Sequence, residues 1–122
     1  MTIQIKLEKV PQRDLELFKN ALASFTVTCQ MILEISHNHN SAKDLSIATE
    51  LWYYINKKTV QQHPPEKSKV ELALHKAYVL LEALKGFSCE GIDTYDRSRC
   101  SRYYMAIDEQ LPTSTQLAIQ LK

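Results

Sequence analysis

Three cysteines and four histidines are the first side chains in this sequence to weigh as nucleophile, base or metal ligand. His37 and His39 alternate across a polar turn, and alternate loop residues can both reach one ion. A third ligand would have to be His63, His75 or a cysteine. None of these stands at a supporting spacing, and neither C-x-x-C nor H-E-x-x-H occurs. The pair reads as turn histidines beside Asn38 and Asn40, with no metal. Cys89 and Cys100 bracket a glycine-bearing connection close in sequence to Arg97, Arg99 and Arg102, and nearby cations lower a thiol pKa. Such a pair would serve as nucleophile or redox couple, but no acyl-transfer pattern accompanies it. Cys29 falls on an apolar helical stripe and reads as a small buried hydrophobe.

Phosphate chemistry has no loop to run on. G-x-x-x-x-G-K-[ST] and G-x-G-x-x-G are both missing, and these are the patterns that cradle phosphates with backbone N–H groups. Asp93 with Asp96, and Asp108 with Glu109, read as a helix start and a solvated face. The expectation is a chain with no catalytic residues and no cofactor.

The densest unusual run is Tyr95-Asp96-Arg97-Ser98-Arg99-Cys100-Ser101-Arg102-Tyr103-Tyr104. On a helix, Arg99, Arg102 and Tyr103 share a face with Tyr95 one turn earlier. Arginine and tyrosine are enriched where proteins bind one another, and they also hold phosphates and stack on bases. A second aromatic-basic cluster, Trp52-Tyr53-Tyr54 with Lys57-Lys58, sends Trp52 to the core and Tyr53 away from it. The residues assigned to a partner are Tyr53, Lys57, Tyr95, Arg99, Arg102 and Tyr103. As surface residues, Arg99 and Arg102 should both tolerate change to Glu with little loss of stability.

The elements that would carry these residues follow from periodicity. The only glycines are Gly86 and Gly91, and glycine is the least strained way through positive φ. A chain that turns so rarely in this way is built from long helices. From Gln12 to Ser36 the residues Leu15, Phe18, Leu22, Phe25, Cys29 and Ile32 recur at helical spacing. A second stripe at Leu17, Ala21, Met31 and Ile35 widens the apolar arc, so this helix needs more than one neighbour. Ser41 is the expected cap of a second helix, which ends before Pro64-Pro65. A third is expected to open at Pro65 or Glu66, carry Val70, Leu74, Ala77, Leu81 and Leu84, and end at Gly86. A fourth should run from Thr94 to Gln110, stopped by Pro112.

Both ends alternate with period two. Ile3, Ile5 and Leu7 lie on one face of a first strand, and Leu117, Ile119 and Leu121 on one face of a last one. The fold class is therefore mainly α: one domain, residues 1–122, a four-helix bundle with short terminal strands in the order β-α-α-α-α-β. The two strands pair within the chain or across a dimer, as a ribbon peripheral to the helices.

Composition sets the setting. The net charge of +1 gives no global pull toward nucleic acid or an acidic membrane. No apolar run approaches a membrane span and no leader pattern opens the chain. An odd cysteine count suits reduced thiols in a cytoplasm. The expected function is a small cytoplasmic, non-enzymatic protein-interaction module, an adaptor, regulator or assembly chaperone. It is expected to be homodimeric, with strand edges open to β-augmentation. The alternative is a nucleic-acid-associated accessory factor using the Arg/Tyr face of the fourth helix.

Overall fold

A computed structural model describes residues 4–61, 63–88 and 91–112. Its elements are β1 (Gln4–Pro11), α1 (Gln12–Ser36), α2 (His39–Thr59), β2 (Lys67–Ala73), α3 (Leu74–Phe87) and α4 (Thr94–Gln110). The described chain is mainly helical, with one two-stranded antiparallel sheet.

The order departs from the expected one at residues 67–73. Instead of the first turns of a helix, they form β2, which pairs antiparallel with β1. The sequence Lys67-Ser68-Lys69-Val70-Glu71-Leu72 alternates strictly, with Ser68, Val70 and Leu72 buried and the charged residues outside. Val70 and Leu74 also sit four apart, so the same residues satisfy a helical stripe. The half-buried edge of the sheet decides between the two patterns. The first strand's partner is thus β2, and the expected terminal strand with Leu117, Ile119 and Leu121 lies outside the described residues, as does Ile3.

The ribbon is not peripheral. Ile5, Leu7 and Val10 of β1 join Val70 and Leu72 of β2 in the same core cluster as Phe18, Leu51, Leu80 and Ile107 from the four helices. Burying an aliphatic side chain of this kind stabilises by about 1.5–3 kcal/mol, so the sheet face contributes as the helices do. The step from Leu7 to Val10 breaks the alternation. A bulge between them, with Lys9 at φ 55°, returns Val10 to the inner face.

Helix ends follow local chemistry. His37 takes the left-handed conformation at φ 52° and its N–H bonds to the Leu33 carbonyl, closing α1. Asn38, not Ser41, caps α2: its side chain accepts from the Asn40 N–H at 2.8 Å. These two residues make a tight helical hairpin. Helix α3 continues through Gly86 to Phe87, one residue past the expected stop, and Gly91 supplies the positive φ before Asp93 caps α4.

Both outer edges of the ribbon are capped by side chains. The Gln110 amide donates to the Lys6 carbonyl at 2.8 Å and accepts from the Lys6 N–H at 2.9 Å. Directly across the ladder, the Glu71 N–H donates to the Tyr54 hydroxyl at 3.2 Å. Unpaired strand edges invite another chain, and here the central register position of each strand is already taken. If the ribbon is integral to the core, Ile5→Ala and Leu72→Ala should each lower stability by about 2–5 kcal/mol. Urea unfolding followed by circular dichroism should show one transition. A separate early transition of the strands would contradict this packing.

Candidate interaction surface

The Asp93 carboxylate caps α4, accepting from the Asp96 N–H at 2.8 Å. The helix packs with part of the expected Arg/Tyr face turned inward. Tyr103 is buried, its ring edge-on to Phe18 with centroids 4.8 Å apart. Its hydroxyl donates to Oδ2 of Asp14, a carboxylate only 1% exposed in the first turn of α1. Arg99, one turn before Tyr103, donates from Nε to the same oxygen at 3.0 Å, and from Nη2 both to it and to the Tyr103 hydroxyl. Oδ1 of Asp14 is buried without a hydrogen-bond partner.

The chemistry of this triad is structural. The hydrogen bond to Asp14 holds the Arg99 guanidinium more firmly protonated. Burial raises the Tyr103 phenol, and its bond to Asp14 raises it further. Arg99 and Tyr103 are therefore spent within the chain, and the expectation that Arg99 is a dispensable surface charge is corrected. In sequence, Asp14 looks like an ordinary first-turn acid; nothing local marks its partner, since Arg99 lies 85 residues away.

Beside the triad, Tyr95 is 45% exposed and lies under the Arg13 guanidinium, whose Cζ is 3.7 Å from the ring centroid. Arg13 also reaches Asp96 at 3.7 Å. Arg97 and Arg102 are exposed. The basic face of α4 is thus reduced to those two arginines and a covered tyrosine.

On α2 the aromatic side chains face as their spacing predicts. Trp52 packs against the core and Tyr53 is 59% exposed, with the two rings edge-to-face at 5.2 Å. Lys57 is exposed one turn further on, on the Tyr53 side. Trp52, Tyr53 and Thr49 form one wall of a groove of about 260 Å³, with Ala23 and Thr26 of α1 as the other.

The thiols are not activated. Cys100 is fully buried, and its pKa is pushed up to about 11, first by burial and then by Asp96. Burial raises Cys29 as well, with a smaller push from Asp44. Cys89 lies outside the described residues. His75 lines a separate notch of about 290 Å³ between α2 and α3, with Lys43, Asp44 and Glu82 on its rim. Among the described residues no three His, Cys, Asp or Glu side chains are grouped as a metal site requires.

Sequence periodicity missed a run of exposed apolar side chains. Val27, Met31, Ile32 and Ile35 are 56%, 57%, 42% and 81% exposed on the outer half of α1. Met31, Ile32 and Ile35 lie on the stripes expected to be covered, and Val27 lies on neither; helical spacing reports a face without saying how far along it a neighbour extends. The signal available was charge: between Lys19 and His37 the only charged side chain is Glu34.

No family model matches this chain, and no curated protein and no solved structure matches it. No helix among the described residues is long and apolar enough to cross a membrane.

Two outcomes test the triad and the thiol. Arg99→Ala leaves the Asp14 carboxylate buried without its charge partner and should cost about 3–5 kcal/mol, whereas Arg102→Glu should stay within about 0.5 kcal/mol. Equal, small effects in denaturant unfolding would return Arg99 to the surface. The Cys100 thiol ordinarily titrates at 9.0 and here at about 11. Between those values the unfolded chain has lost the proton that the folded chain retains. Stability should therefore fall as pH rises across that window, by at most about 1.4 kcal/mol per pH unit for this group. Cys100→Ala should flatten the slope; an unchanged slope would assign it elsewhere.

Proposed function

We propose that this chain is a small non-enzymatic protein-interaction module, an adaptor, regulator or assembly chaperone, built on a four-helix bundle and working as a homodimer in the cytoplasm. Its partner-binding surface is the groove between α1 and α2, lined by Tyr53, with the exposed Lys57 one turn further along α2. One observation carries this reading: Tyr53 stands 59% exposed, edge-to-face with Trp52, on a groove that these two rings and Thr49 wall on one side and the small residues Ala23 and Thr26 on the other. Exposed tyrosine beside tryptophan supplies large contact area at low entropic cost, as binding hot spots do. The free cysteines Cys29 and Cys100 suit a reducing compartment.

Strand addition loses ground as the mode of binding. Gln110 and Tyr54 occupy the middle of both ribbon edges, so a docking strand would first have to displace them. The nucleic-acid alternative is likewise narrowed, because Arg99 neutralises Asp14 and Arg13 is paired with Asp96. What remains to it is Arg97 and Arg102, with Lys57 and Lys58 on another helix.

A photo-reactive residue at Thr49, on the groove wall, tests the proposal in living cells, with Glu71 on the ribbon as the control site. The expected result is a covalent adduct to a different protein from position 49 and not from 71. Tyr53→Ala should remove that adduct while shifting stability by no more than about 0.5 kcal/mol. An adduct to nucleic acid, whose yield falls steeply with salt when the cross-linking is repeated in lysate, would favour the alternative. No protein adduct at all would overturn the reading.

A further inference from the structure

The outer half of α1 is a second surface, distinct from the Tyr53 groove. Val27, Met31 and Ile35 stand four residues apart and form one i±4 ridge, all more than half exposed. The neighbouring ridge is Ser24, Thr28 and Ile32, small at its first two positions. Small residues beside a ridge of large apolar side chains let a second helix approach that ridge closely.

We infer that this face holds a second copy of the same chain, with the two α1 helices antiparallel about a twofold axis at Met31. This rests on the interaction-module reading and names one of its partners. Three observations select a second copy as the occupant.

The ridge is self-complementary. Inverting it about Met31 sets Val27 of one copy opposite Ile35 of the other, so large apolar meets large apolar at every position. A twofold interface requires such a patch.

The electrostatics allow it. The lone charge of this stretch, Glu34, falls opposite Thr28 of the other copy and not opposite itself. No like charges are brought together.

The polar groups are already satisfied. The hydroxyl of Thr28 donates to the Ser24 carbonyl at 3.2 Å, that of Thr26 to Ala23 at 2.7 Å and that of Ser36 to Ile32 at 2.7 Å. Such back-bonded hydroxyls can be covered without stranding a donor.

Size sets the strength. Val27, Met31, Ile32 and Ile35 together offer roughly 400 Å² of apolar surface per copy, the scale of a functional patch. Two copies bury about 800 Å² through these side chains, below the standard interface of about 1,600 Å². The dimer is therefore weak and concentration-dependent.

Sedimentation equilibrium of the full chain, from low micromolar to near-millimolar protein, reads this directly. The expected result is a mass rising from one chain to two. Met31→Lys should weaken the association at least about tenfold, with the melting temperature of dilute protein unchanged. Thiol cross-linking fixes the geometry: in a Cys89→Ser background, Val27→Cys mixed with Ile35→Cys should cross-link more efficiently than either variant alone. A mass of one chain at every concentration, or a dimer indifferent to Met31→Lys, overturns the inference. A strictly monomeric chain whose position 49 still attaches to another protein would sink the dimer, here and in the proposed function, and leave the Tyr53 groove standing as a partner-binding surface. A Met31-dependent dimer that attaches to no other protein would do the reverse.

Discussion

Helix α1 is longer than anything that can cover its second face. Its 25 residues rise about 38 Å, whereas the 14 residues of α3 rise about 21 Å. The inner half of α1 is enclosed by α2, α3 and the ribbon, and it supplies Leu15, Phe18 and Leu22 to the core. The last turn of α3 reaches Ser24, Phe25 and Thr28 and stops there. Beyond that point, among the described residues, Val27, Met31, Ile32 and Ile35 of this widely apolar helix stand in solvent.

The polar arrangements hold the enclosed end in place. Asp14 fixes the start of α1 against α4 through Arg99 and Tyr103, and Gln110 ties the other end of α4 to β1. The Gln12 amide donates to the Pro65 carbonyl at 3.0 Å, linking the start of α1 to the approach to β2. A buried ion pair of this kind adds little net stability, but losing one partner is costly. Its effect here is on register: it sets which face of α4 is turned inward, and so which arginines remain outside.

The two proposed binding surfaces belong to the end of the molecule away from the ribbon. The Tyr53 groove lies along the α1–α2 hairpin, and the Met31 ridge on its outer half. Both lie away from the ribbon, whose edges are closed by side chains. Binding surfaces placed there can change without disturbing the packing of Ile5, Phe18 or Leu72, because the two sets of residues share few neighbours.

Periodicity and capping chemistry were enough to place α1 from Gln12 to Ser36 and α4 from Thr94 to Gln110, since these depend on residues a few positions apart. They also placed the first strand and the exposure of Tyr53. Three things were decided only by tertiary structure. Residues 67–73 became a strand because β1 was there to pair with, overriding a helical spacing that Val70 and Leu74 also satisfy. Arg99 became a buried partner because the fold brings Asp14 to it across 85 residues. The outer ridge of α1 stayed exposed because α3 ends too soon. Local sequence specifies which way a side chain faces along its own element; what meets it there depends on the position and length of other elements, which no local pattern encodes.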